Sequence, residues 1–245
     1  MKKIILASLL FIYSVSIIQA QNYNPLEAPN SYQSADNPHY WKNKLPKVGY
    51  WQQDVHYRIK ATIDDKKNDI IADQKLSYWN NSPDELTVLY FHLYQNAYTS
   101  GSYLESFRRD NKSRFVTKKK GYPENMGTEI KNFEIQYPGS KEKVKAIYQI
   151  DNTILKCELK QALNPGEKID ITISFITHWD PANSRRFAVY KTFGQKHFNG
   201  THWYPRISVY DSKFGWTTDQ HLGKEFYGDF GTYDVELTFP NNYIV

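Results

Sequence analysis

Asp54-Val55-His56-Tyr57-Arg58-Ile59-Lys60-Ala61-Thr62-Ile63-Asp64 decides the fold class. Val55, Tyr57, Ile59, Ala61 and Ile63 fall on one side of a period of two, with His56, Arg58, Lys60 and Thr62 on the other. Side chains alternate across a strand, so this segment predicts a strand with one face in the core and one in water. Asp64–Asp69 is polar and predicts a turn. Ile70–Asn80 alternates again, with Ile71, Leu76 and Tyr78 as its apolar points, so the two runs predict a hairpin.

The same rhythm recurs further along. Leu86–Tyr94 is apolar, β-branched and aromatic almost throughout, which predicts a strand covered on both faces. Thr128–Tyr137, Val144–Ile150, Thr153–Leu159, Ile169–Ile176 and Tyr233–Phe239 alternate, separated by Pro138-Gly139, Asp151-Asn152 and Asn164-Pro165-Gly166. No segment sustains a long apolar period of 3.6. The expected class is therefore all-β, an antiparallel sandwich or curved sheet. Residues 96–127 break the pattern and predict an inserted loop, with Tyr103–Arg109 as a short helix inside it.

The amino terminus has a different character. Lys2 and Lys3 precede an apolar stretch, Ile4–Ile18, interrupted only by serines, and Ala20 supplies a small residue for cleavage. Residues 1–20 predict a signal peptide, since the apolar stretch falls short of the roughly 20 residues that span a bilayer. Export to the periplasm or cell exterior follows as an expectation, with no stable membrane span after cleavage. Residues 21–48, rich in Asn, Pro, Ser and Tyr, predict a linker or extended arm, and residues 49–245 one β domain. Tyr243-Ile244-Val245 reads as the start of a further strand, so that domain is expected to be cut short at its C-terminal end.

The formal charge of +5 is concentrated in Arg108, Arg109, Lys112, Arg114 and Lys118–Lys120. Such a run predicts a solvated basic loop, and with an export signal no nucleic-acid partner is expected. Cys157 is the lone cysteine and cannot form an internal disulfide. Flanked by Leu155 and Leu159 in an alternating segment, it predicts a buried strand thiol.

H-E-x-x-H, the P-loop, G-x-G-x-x-G and G-x-S-x-G are all absent from the chain. His197, His202, Asp219 and His221 together offer three imidazoles and a carboxylate, but Asn199-Gly200 places the first two on a loop rather than one helix face. No metal site is assigned there. His178-Trp179-Asp180 could orient a base, yet no nucleophile accompanies it. Asp64-Asp65 and Asp84-Glu85 fall in turns. Exposed Trp and Tyr side chains leave open a stand-alone binding module, for carbohydrate for instance.

Three stretches together resemble the aminopeptidase N family of gluzincin zinc metallopeptidases. The first is Tyr50-Trp51-Gln52-Gln53-Asp54-Val55-His56-Tyr57 with Gln74-Lys75-Leu76, the Asn80-Asn81-Ser82-Pro83-Asp84-Glu85-Leu86 turn and the Tyr90–Tyr94 strand. The second is Leu163-Asn164-Pro165-Gly166-Glu167. The third runs from Trp203-Tyr204-Pro205-Arg206-Ile207-Ser208-Val209-Tyr210-Asp211 to Gly228-Asp229-Phe230-Gly231-Thr232-Tyr233-Asp234-Val235. Tyr204-Pro205-Arg206 departs from the Phe-Pro-Cys of better-known members.

The resemblance implies a saddle-shaped, non-catalytic N-terminal β domain. It implies zinc, H-E-x-x-H, G-x-M-E-N and the peptide substrate in a catalytic domain that this chain lacks, and so no cofactor in the chain itself and no activity on its own. A catalytically dead peptidase relative is the other form the resemblance allows. It also implies Gln195, ten residues before Pro205, as a candidate contact for the substrate amine.

Overall fold

A computed structural model describes residues 48–112, 121–124, 126–179, 186–224 and 226–244. The signal peptide, nearly all of the arm, Arg114, Lys118–Lys120 and Asp180 lie outside the described residues. The chain divides into two units, Met1–Tyr50 and Trp51–Val245. In the first, Val48 and Gly49 form a turn. Among the described residues, every strand lies in the second.

β1 (Asp54–Asp64) and β2 (Asp69–Trp79) form the expected hairpin in unbroken register from Asp54↔Trp79 to Asp64↔Asp69. Asp64 closes its turn by accepting from the backbone N–H groups of Lys66 and Lys67, both at 3.0 Å. β3 (Leu86–His92) follows, and then a 3-10 turn over Tyr94–Tyr98 and the helix α1 (Tyr103–Asp110). Ser102 caps α1 by accepting from Glu105 N–H, while the Glu105 carboxylate accepts from Gly101 N–H at 2.8 Å. This S-x-x-E arrangement satisfies donors that the first turn leaves open.

The remaining long strands are β4 (Gly127–Gln136), β5 (Val144–Lys145), β6 (Ile147–Asp151), β7 (Ile154–Leu163) and β8 (Lys168–His178). Short pieces follow: β9 (Ala188–Thr192), β10 (Gln195–Asn199), β11 (Arg206–Ile207), β12 (Tyr210–Asp211) and β13 (Gly215–Trp216). β14 (Thr232–Thr238) comes last. A six-stranded sheet runs β14-β1-β2-β8-β4-β5 and a four-stranded sheet β11-β3-β7-β6; β9–β10 and β12–β13 are separate ribbons.

The core fills the space between the two large sheets. Val55, Tyr57, Ile59, Leu76, Ile171, Ile173 and Phe175 from one sheet meet Leu89, Phe91, Leu155 and Cys157 from the other in one buried cluster. Phe91 meets Phe133 edge to face, ring centres 5.6 Å apart. Burying each such side chain contributes about 1.5–3 kcal/mol. Gln74, fully buried, donates to the Pro205 carbonyl at 2.9 Å and so anchors the Trp203–Val209 segment to β2.

The all-β class stands, with three differences of detail. β14 pairs with β1 in parallel, His56↔Thr232 through Thr62↔Thr238, where antiparallel pairing was expected. A parallel neighbour needs a long crossover, and the entire run from β2 to β13 supplies it. β3 is covered fully on one face only: Thr87 is exposed and Val88 and Tyr90 are half-buried. Val144–Ile150, read as one strand, is divided at Ala146: β5 pairs with β4 in the larger sheet and β6, which runs on to Asp151, with β7 in the smaller.

Candidate functional site

β3 ends against the β6–β7 turn, where Leu93 N–H donates to the Thr153 carbonyl at 2.8 Å. The chain then turns sharply through Tyr94–Tyr98, which sets Tyr94, Gln95 and Tyr98 at the mouth of the sandwich. Gln95 donates to the carbonyls of Thr201 (2.8 Å) and His202 (3.3 Å), fixing the loop that carries His202. On the opposite side, Thr153 N–H and hydroxyl both reach Gln220 Oε1, and His221 N–H donates to the Thr153 hydroxyl at 2.9 Å. Asn96 holds the base of the turn by donating to the Asn152 carbonyl and accepting from Thr128 N–H.

These ties surround a cavity of about 130 Å³ walled chiefly by Tyr94, Tyr98, Phe187, His202, His221 and Phe226. Both imidazoles stack on Phe226, His202 at 3.7 Å and His221 at 4.8 Å between ring centres. Tyr94 stands edge-on to His202, His221 and Phe226. Arg186 and Lys224 sit at the rim, exposed.

The electrostatics keep His202 and His92 neutral near pH 7. Burial, helped by the nearby Arg206 cation, lowers the His202 pKa to about 4. Burial likewise takes His92, stacked on Tyr94 from behind, down to about 4. The Tyr94 phenol is pushed up to about 12 by burial. His202 holds its backbone at φ +51, a conformation uncommon for a non-glycine residue, and its carbonyl accepts from Gln95. The inner walls are therefore largely aromatic, with imidazole nitrogens and phenol hydroxyls as polar points and the cations Arg186 and Lys224 at the rim. It suits a small planar or apolar group, and its hydrogen-bonded pair is the Tyr98 hydroxyl with His221 Nε2 at 3.3 Å.

Two of the four residues read as possible ligands meet at this cavity, His202 and His221. His197 lies on β10 beside Tyr190, and Asp219 does not line the cavity. Among the described residues no three His, Cys, Asp or Glu side chains are grouped to hold a metal.

Gln195 opens β10 opposite Thr192 and is exposed, away from the cavity lining. His178 pairs with Asp69 at 2.7 Å, and Trp179 is buried on Phe187 and Phe198. Cys157 is fully buried, its thiol pushed up to about 12 by that burial. The aromatic walls were not singled out in the sequence: Tyr94 sat inside a predicted strand, and nothing in the spacing links it to His221 or Phe226.

No family model matches the chain, and no curated protein matches it by sequence. Solved structures similar to it include an M1 zinc metallopeptidase from Deinococcus radiodurans, with 13% identity, a TM-score of 0.43, and coverage of 77% of this chain and 33% of that one. Another is a two-domain M1 zinc metallopeptidase variant bound to L-arginine, with 14% identity, a TM-score of 0.42, and coverage of 80% and 35%. The chain spans about a third of the length of these proteins. Among the described residues no helix is long and apolar enough to cross a membrane.

Proposed function

We propose that this chain is the non-catalytic N-terminal β domain of an exported zinc metallo-aminopeptidase of the aminopeptidase N type. One observation carries the reading: the stretches that resemble that family, scattered through the sequence, are the ones that grip one another in the fold. Tyr57 of the first stretch accepts from Ile207 N–H of the third at 3.0 Å. Asn80 of the first exchanges backbone hydrogen bonds with Gly166 and Glu167 of the second. Asp84 accepts from the Tyr210 hydroxyl at 2.8 Å, and β14 lies along β1.

On this reading zinc, its activated water and the peptide substrate belong to a separate catalytic domain. The domain described here supplies a rigid wall beside it. Gln195, exposed on its ribbon, is the residue offered to a substrate ammonium through its amide oxygen. The test compares hydrolysis of an alanyl anilide by the purified 245-residue chain and by the product of the whole gene. Hydrolysis by the whole product, blocked by a chelator, with none by the chain, is the expected result. Chelator-sensitive hydrolysis by the chain alone overturns the proposal. So does a whole product that binds glycans and cleaves no peptide.

A further inference from the structure

β14 is the outermost strand of the six-stranded sheet, and among the described residues its outer edge pairs with nothing. Its register places Tyr233, Val235 and Leu237 beside Tyr57, Ile59 and Ala61. Those three β1 residues are buried, whereas Tyr233, Val235 and Leu237 are 42%, 47% and 44% exposed. The apolar face of the sheet thus continues one strand beyond its cover. Natural edges are commonly blunted with charged side chains, lysine above all, with proline or with a bulge; here the charges are Asp234 and Glu236. Thr232–Thr238 has no lysine or proline, and its pairing with β1 shows no register shift.

The opposite face of β14 selects among occupants. Asp234 and Glu236 point there, their side chains 70% and 66% exposed although they contact His56, Arg58 and Lys60. In antiparallel pairing with a second copy, every register that keeps the apolar row on one face and overlaps at least five residues of Thr232–Thr238 sets Asp234 or Glu236 against Asp234 or Glu236. Like charges directly opposed weaken a cross-strand pair. A strand with lysine or arginine between its apolar residues meets the opposite situation and gains at each position.

We propose that the free edge of β14 docks an extended polypeptide strand that alternates apolar and basic residues, completing the sheet as a seventh, antiparallel strand. Backbone ladder bonds supply affinity, the apolar row buries Tyr233, Val235 and Leu237, and the acidic row sets selectivity. This goes beyond the peptidase reading and stands on the edge alone, so either can fail without the other.

The probe is a capped Lys-Val-Lys-Val-Lys-Val-Lys peptide. The controls are its Glu-for-Lys counterpart and a backbone N-methylated version that cannot form the ladder. Binding is followed by NMR on the full chain. The expected result is at least tenfold tighter binding of the basic peptide than of either control, with slowed amide exchange confined to β14. Val235→Lys and, as a second surface variant, Leu237→Lys should abolish it while circular dichroism stays unchanged. Equal binding of the N-methylated or acidic peptide overturns the proposal, as does undiminished binding by both variants. Self-association of the wild-type chain through β14 overturns the choice of occupant.

Discussion

The backbone N–H of Ile207 donates to the phenolic oxygen of Tyr57 at 3.0 Å, deep between the two sheets. Tyr57 is 1% exposed, stacks on Tyr233 at 4.9 Å and meets Tyr204 edge-on. One side chain therefore joins β1, β11 and β14. Tyr57→Phe keeps both ring contacts and strands the Ile207 donor. An unpaired buried donor costs about 1–3 kcal/mol. Denaturant unfolding should show a loss in that range with an unchanged slope; a loss below ~0.5 kcal/mol would mean that the bond is dispensable.

Gly127 holds φ +101, and a Cβ there would lie 2.5 Å from Asn96 Oδ1 and 3.0 Å from Asn96 Cα. Gly139, at φ +71, has nothing within 4 Å of such an atom. Gly127→Ala combines strain with collision and should cost about 2–4 kcal/mol, against about 1 for Gly139→Ala. Because Asn96 holds the base of the cavity, only the first change should also alter the ring-proton shifts of Tyr94 and His221 in NMR spectra. Equal costs for the two variants would refute the role given to the Asn96 contact.

The buried histidines set a pH dependence whose sign is fixed. His92 and His202 titrate near 4 when folded, against an ordinary 6.5. Between those values the unfolded chain binds more protons, so stability is full above about 6.5 and falls as pH drops towards 4. Below 4 their contribution levels off. Asp64, held below its usual range by the Lys66 and Lys67 amides, acts in the same direction but at lower pH. Unfolding measured at pH 7 and pH 5 should differ in equilibrium constant by on the order of tenfold for each histidine after screening, and by the product of the two factors for the pair. His202→Gln should reduce that difference without abolishing it; an unchanged difference would exclude His202 as a contributor.

Cys157 should resist thiol reagents in the native protein. It is fully buried, and burial pushes its thiol up to about 12. Reaction with a disulfide reagent is expected to follow the unfolding rate, rising with denaturant. Rapid labelling in buffer would contradict this packing.

The features legible in the sequence were those that period two and local turn chemistry encode. The β1–β2 hairpin, the Asn164-Pro165-Gly166 turn, the Cys157 strand and the α1 helix all follow from residues close in the chain. Alternation names a face but not a neighbour, so the parallel union of β1 with β14 was invisible. The β9–β10 turn uses Phe193 at φ +49 and Gly194 at φ +78. Phenylalanine is a poor marker for that geometry, and the ribbon went unseen. The aromatic cavity is assembled by Gln95, Asn96 and Thr153 reaching across the fold. Of the four metal-ligand candidates, only His202 and His221 share it, because their loops are tied to the Tyr94 turn from opposite sides.

The division of one extended run at Ala146 has a mechanical consequence. Val144–Lys145 is stitched into one layer and Ile147–Asp151 into the other, with a single residue between them. Neither layer can peel away or slide without dragging its counterpart, so heat or force should disrupt them as one cooperative body rather than in succession. A sandwich built this way holds its shape under load.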